Sequence, residues 1–244
     1  MRAEPIVTTL RQLADISIRS LVLARRQARA KAQANKVFQR YVASHSTRKL
    51  HIGAGGILLG GWLNVDIAPL SPQVSYLDAA APYPIVESTF DYVYSEHVFE
   101  HLDLPQQRRM LAEVYRVLRP GGTIRMATPD FDVLIALTTE EKPFLTEYRR
   151  WSAQTYYPDQ LAALGDSAYA AVFVINNYFY NWGHRFIHNS FSLRTLLENA
   201  GFHNVRKVAV AESADPELQG LERHGTVIPT IYNTHETMVF EATR

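Results

Sequence analysis

The chain has 244 residues, enough for one domain with a buried core or for a domain carrying an extension. Apolar residues at 47% and charged residues at 20% exclude collagen-like, disordered and low-complexity architectures, and the absence of cysteine excludes disulfide scaffolds, thiolate zinc sites and cysteine nucleophiles. The net charge of +1 hides an asymmetry: Met1 to Lys49 carries eleven Lys or Arg against Glu4 and Asp15, while the remainder carries fourteen against twenty-two acidic residues.

The basic arm reads as helix from Thr8 to Val42. Leu10, Leu13, Ala14, Ser17, Leu21, Ala24 and Ala28 recur at helical spacing, and no Gly or Pro interrupts the stretch. Arg11 and Asp15 break the one candidate for a signal-peptide core, and no cleavage site marks a transit peptide. No apolar run approaches the roughly 18–20 residues of a membrane span, so a soluble, cytoplasmic protein is expected. The stripe suits packing on the body or on a second subunit, as a homodimer contact. An anionic membrane surface and nucleic acid are the sharper alternatives, and the acidic body argues against nucleic acid.

After Ser44 the pattern turns to strands alternating with helix. Lys49–Ile52 runs into Gly53-Ala54-Gly55-Gly56; Leu63–Val65 ends at Asp66; Tyr76-Leu77 ends at Asp78; Phe90–Tyr94 ends at Ser95. Leu104 to Leu118, with Pro105 in its first turn and a Leu111, Val114, Leu118 stripe, reads as a helix stopped by Pro120-Gly121-Gly122, and Thr123–Thr128 is the next strand. Such alternation predicts a doubly wound α/β fold, mostly parallel, with helices on both faces and ligands at the carboxyl ends of the strands. Gly53 and Gly55 would let the backbone turn sharply against a ligand, whose polar end would meet the start of a following helix. Asp66 could accept both hydroxyls of a ribose. A nicotinamide site would want a third glycine at Leu58 and an acid about 20 residues beyond the loop, whereas Asp66 follows Gly53 by thirteen.

Taken together, Leu50–Gly56, Gly61–Asp66, Phe90–Leu102, Val117–Gly122, Thr128–Asp130, Asn199–Phe202 and Glu236–Ala242 resemble the class I S-adenosylmethionine-dependent methyltransferases, most of all the bacterial type-11 branch associated with glycan and natural-product pathways. The resemblance spans residues 49–244, which makes residues 1–47 a basic helical extension and 48–244 the methyltransferase domain, with an aromatic-rich insertion at about 131–191. It implies a seven-stranded sheet whose last strand is antiparallel, and S-adenosylmethionine as cofactor. Gly53 and Gly55 would pass under its methionine part. Asp66 would hold the ribose with Ile67 beside it, Asp78 and Ala79 would sit at the adenine, and Ser95 and Glu96 would lie near the transferable methyl. Ala54 stands where many relatives have cysteine.

His97 and His101, after the fourth strand, are the candidate general bases; a wall or helix-start role is the plain alternative. Their four-residue spacing, repeated by His184 and His188, also permits a metal, but no carboxylate completes the set at a fixed short spacing, so none is expected. Acceptor recognition is expected between Phe131 and Phe191, where aromatic residues from Phe144 to Phe191 crowd beside Asn176, Asn177 and Asn181 with no single ring singled out; Tyr178, Asn181 and His184 are the candidate contacts, with Glu212, Glu222 and His224 as further ones. The expected activity is methyl transfer to a hydroxyl or amine of a small molecule or sugar. A cofactor-binding relative that methylates nothing and serves as a partner subunit, or a nucleic-acid methyltransferase guided by the arm, are the alternatives.

Overall fold

The computed structural model describes residues 24, 25 and 27–244. Residues 27–44 form helix α1. Ala34, Phe38 and Tyr41 are buried in the main core, one face at i, i+4, i+7 spacing. Ala24 and Ala28, expected on the apolar stripe, are instead exposed. The stripe predicted further upstream, from Leu10 to Leu21, lies outside the described residues. Tyr41 Oη donates to the Gly61 carbonyl at 2.8 Å and accepts from the Lys49 N–H at 2.9 Å, which fixes α1 to the first strand. The buried face of α1, formed by Ala34, Phe38 and Tyr41, packs on the chain's own sheet, while Val37 is exposed.

Strands β1 (Lys49–Ile52), β2 (Leu63–Asp66), β3 (Ser75–Tyr76) and β4 (Phe90–Glu96) follow, then helix α2 (Leu104–Val117) and β5 (Leu118–Pro129). Helices α3 (Phe131–Thr139), α4 (Pro143–Tyr156), α5 (Pro158–Leu164) and α6 (Ala171–Tyr180) come next. The chain closes with α7 (Ser190–Asn199), β6 (His203–Val208), α8 (Thr230–Glu236) and β7 (Thr237–Thr243). The seven strands make one sheet in the order β3-β2-β1-β4-β5-β7-β6. Pairs β1 to β5 are parallel, and β7 runs antiparallel to both β5 and β6. Strand order reverses between β1 and β4, where such a sheet opens a crevice at its carboxyl ends.

On one face, Leu50, Ile52, Val65, Val93, Ile124 and Phe240 meet α1, α2 and α7. Four apolar residues of α2, Met110, Leu111, Val114 and Val117, are fully buried, and its start carries a reciprocal cap between Asp103 and Gln106. On the other face Tyr92 and Tyr94 pack with Leu59, Trp62, Leu218 and Leu221, so irregular chain covers that part of the sheet. Beneath it Arg125, fully buried, pairs with Glu222 at 2.7 Å and Glu241 at 2.6 Å, and Glu241 also meets Arg206 at 2.7 Å. Helices α3, α4 and α6 share a second core around Leu134, Leu145, Tyr148, Val174 and Tyr178.

Two local expectations change. No helix follows the glycine turn; residues 53–62 run through turns straight to β2, so no helix N-terminus faces a ligand there. Pro120-Gly121-Gly122 ends α2 but lies inside β5, where the pairing with β4 shifts register between Phe90 and Tyr92. Gly122 is required there, because a Cβ would stand 3.0 Å from the carbonyls of Arg119 and Asp91.

Candidate active site

Two cavities open at the carboxyl ends of the strands. The first, about 420 Å³, is lined by Gly53, Asp66, Ile67, Leu77, Asp78 and Ala79, closed by Val98, Leu102, Gln106 and Arg185, and bordered by His97 and His101. Asp66 ends β2 with both oxygens oriented by backbone: Oδ2 accepts from the Gly55 N–H at 2.8 Å and Oδ1 from the Ala68 N–H at 2.7 Å. A carboxylate has about four acceptor sites, so the remaining ones are free for a diol. Asp78 Oδ1 is held by the Ala80 N–H at 2.9 Å. Gln27 of α1 donates to the Ile67 carbonyl at 2.7 Å, which ties the helix to this rim.

The second cavity, about 360 Å³, lies on the far side of the same histidines. His97, Glu100, His101, Tyr148, Tyr156, Tyr178, Trp182, His184, His224 and Glu236 line it. His97 and His101 thus wall both spaces. His97 adopts a left-handed backbone with φ of 50°, and its N–H donates to the Ala127 carbonyl at 2.9 Å. The 3-10 turn Phe99–His101 follows. Gln107 braces that turn from α2: its amide donates to the carbonyls of Phe99 at 2.9 Å and Phe186 at 3.2 Å, and its Oε1 lies 2.8 Å from His188 Nε2.

Electrostatics divide the histidines. Burial opposes charge on His97, but the Glu100 carboxylate, 3.0 Å from Nδ1, outweighs it together with Glu96 and Glu236, and the pKa lies above the ordinary value. Burial alone would raise the pKa of Glu100; its hydrogen bond to and charge attraction with His97 bring it below the usual range. His184 is lowered by burial. His224, whose ring centroid is 4.0 Å from that of His97, is pushed down to about 4 by burial and by the His97 charge. Glu236 sits beneath two phenols, accepting from Tyr148 at 2.5 Å and Tyr178 at 2.6 Å, and burial raises its pKa.

Of the residues singled out from the sequence, Gly53, Asp66, Ile67, Asp78 and Ala79 line the first cavity, and Tyr178 and His184 line the second. Others fall elsewhere. Gly55 acts through its N–H on Asp66. Ser95 is buried within β4 and lines neither cavity, and Glu96 accepts from the Arg223 and His224 N–H groups, both as close as 2.9 Å. Asn181 is exposed and donates back to Asn177. Glu222 serves the Arg125 network, and Glu212 offers Arg125 its backbone carbonyl.

The histidine pairs read from spacing are divided between two clusters. His188 lies in the packing, with its two ring nitrogens on Gln107 and Ser192. Instead, donor atoms of Glu100, His101 and His184 lie within 4.8 Å of one another, so a carboxylate does accompany two histidines. Its adjacency to His101 was visible; the partner from residue 184 was not, because only tertiary folding brings it there. Glu100, Glu236, Val98 and Arg185 are the site residues that sequence reasoning missed.

No helix among the described residues is long and apolar enough to cross a membrane. Among known proteins, residues 64–126 match the methyltransferase-domain family model, the stretch from β2 into β5. No curated protein matches the chain. Similar solved structures include a SAM-dependent methyltransferase from Archaeoglobus fulgidus, at 17% identity over 88% of this chain and 94% of that one with a TM-score of 0.49. A Mesorhizobium loti S-adenosylmethionine-dependent methyltransferase is 13% identical over 81% of this chain and 90% of that one, with a TM-score of 0.44. Haemonchus contortus phosphoethanolamine N-methyltransferase 2, with phosphomonomethylethanolamine and S-adenosylhomocysteine, is 14% identical over 86% and 52% respectively, with a TM-score of 0.45. The family match runs from β2 into β5, strands whose carboxyl ends face the first cavity, so this part of the chain is similar to a methyltransferase domain.

Proposed function

We propose that the chain methylates a hydroxyl or amine of a small molecule or sugar held in the 360 Å³ cavity, with the cofactor in the 420 Å³ cavity. The observation that carries this reading is the shared wall: His97 and His101 border both spaces, so a group in one meets a group in the other there. The residues fit the cofactor. Asp66 keeps acceptor capacity for the ribose, Ile67, Leu77, Ala79 and Leu102 offer an apolar bed for the adenine beside Asp78, and Arg185 supplies a cation for the amino-acid carboxylate. When bound, S-adenosylmethionine supplies an electrophilic sulfonium methyl.

What remains for the protein is alignment, exclusion of water and loss of the acceptor proton. The charged form of His97, favoured by Glu100, donates rather than accepts and so orients an acceptor oxygen. His101 is the proton acceptor in this reading. Rings of Tyr148, Tyr156, Tyr178 and Trp182 give the acceptor apolar area. A cysteine-free chain suits work in the cytoplasm.

Calorimetry with S-adenosylhomocysteine tests the reading. Asp66→Ala should weaken binding by about 1.5–3 kcal/mol, the worth of hydrogen bonds to a charged group, and His101→Ala should retain cofactor binding while losing turnover on a panel of phenols, amines and sugars. Unchanged affinity in Asp66→Ala, or crystals placing the nucleoside outside the first cavity, would overturn it.

A further inference from the structure

We infer that Glu100, His101 and His184 form a divalent-metal site on the wall of the second cavity, with open positions that take an oxygen of the acceptor. Their donor atoms lie within 4.8 Å of one another. Histidine nitrogens and carboxylate oxygens sit about 2.0–2.2 Å from a zinc-like ion, so two ligands of one ion stand no more than about 4 Å apart, and small side-chain rotations close the gap.

The set is held in place by other contacts. Glu100 and His101 come from the 3-10 turn and His184 from the stretch after α6, and these segments are stitched together. The N–H groups of Arg185 and Phe186 donate to the Glu100 carbonyl at 2.7 and 3.2 Å, and the Gln107 amide joins the carbonyls of Phe99 and Phe186. The Glu100 carboxylate is fully buried and already oriented, Oε1 by His97 at 3.0 Å and Oε2 by Thr128 Oγ1 at 3.1 Å. Such outer partners aim a ligating carboxylate and leave each oxygen a further acceptor site.

An independent observation comes from His184. Its Nδ1 is buried and makes no hydrogen bond of full geometry among the described residues, a costly state for a ring nitrogen, while the Tyr178 backbone is a hydrogen-bonding group that acts on the ring. A metal ion bound at this nitrogen would satisfy it. Two imidazoles and one carboxylate, with no thiolate, select a borderline cation such as Zn²⁺, Co²⁺, Fe²⁺ or Mn²⁺. Three protein ligands facing a cavity are the pattern of a reactive rather than a structural site.

The acceptor part of this inference rests on the second cavity being the acceptor site; the metal part does not. An acceptor hydroxyl at an open position would lose its proton to solvent more readily, because the ion stabilises the alkoxide or phenoxide. His101 then acts as a ligand instead of as a base.

The test is a Co²⁺ titration of the chelator-stripped full chain, followed by visible absorption and by metal analysis after gel filtration. One ion per chain is expected. His184→Ala should weaken binding by more than about 100-fold, beyond the 10–100-fold typical of losing an outer partner, and His184→Gln guards against a folding defect by keeping a polar side chain. His203→Ala, at the exposed start of β6, should bind as the parent does. S-adenosylhomocysteine calorimetry on the same samples separates the two readings: His184 lines only the second of the two cavities, so its variants should keep that affinity. Absence of stoichiometric metal, or wild-type affinity in both His184 variants, overturns the site. Metal binding without S-adenosylhomocysteine binding would leave the site standing and sink the cofactor reading.

Discussion

A carboxylate removed from water is destabilised unless donors replace its hydration, and Glu236 shows how far two phenols go toward doing so. Its Oε2 accepts from both Tyr148 and Tyr178, yet burial still raises its pKa. Over some range of pH above the ordinary carboxylate value, the folded chain therefore retains a proton that the unfolded chain has released. Stability from this group is present at low pH and is lost as pH rises through the folded pKa. His97 and His224 face the same carboxylate, and the His97 charge moderates the shift. Glu236→Gln removes the titration but keeps an acceptor for a phenol. The unfolding free energy of the parent minus that of Glu236→Gln, from urea titrations across pH, should fall with rising pH, by at most about 1.4 kcal/mol per pH unit. A flat or rising difference would show that Glu236 is ionised throughout. Nothing in the sequence near Glu236 announced this role, because its partners come from α4 and α6; Asp66 and Asp78 could be singled out from local pattern, since the first ends β2 and the second follows β3 by two residues.

At the scale of elements, the turn after β1 was read as room for a ligand, and the structure gives it a second cause. Gly53 has φ of 77°, and a Cβ there would lie 2.0 Å from Val98 Cγ2, the residue following His97. The glycine lets the turn after β1 approach the turn after β4, and that contact helps shape the first cavity, which both residues line. Gly53→Ala should thus carry two separable costs: about 1–2 kcal/mol for a left-handed L-residue, and a steric cost set by Val98. Val98→Ala introduced into Gly53→Ala should recover the steric part and leave the backbone part, a coupling of about 0.5–3 kcal/mol in a double-mutant cycle. Strict additivity of the two substitutions would mean that Val98 yields freely. The alternation of strands and the strand-end acids could be read from local pattern. The missing helix after the glycine turn could not, since what replaces it is long-range packing of Leu59 and Trp62 with Leu218 and Leu221.

For the whole molecule, the division into a basic arm and an acidic body was a reading of charge, and burial cuts across it. The same helix that carries Arg29, Lys36 and Arg40 outward buries Ala34 and Phe38, each at 4% exposure, in the core that holds β1, β2 and α2. Charge asymmetry and apolar periodicity are independent signals; the first marks what faces solvent, and only the second locates the body. The predicted stripe stopped at Ala28, short of the residues that dock. If α1 is part of the folded unit, truncating its buried ring should destabilise the seven-stranded sheet itself. Phe38→Ala is expected to lower the unfolding free energy by about 3–5 kcal/mol, as for other buried aromatic truncations, and to do so in one cooperative transition seen equally by near-ultraviolet and far-ultraviolet dichroism. An arm merely resting on the surface predicts a loss under about 0.5 kcal/mol or a separate early transition, and either outcome would return α1 to the status of an appendage.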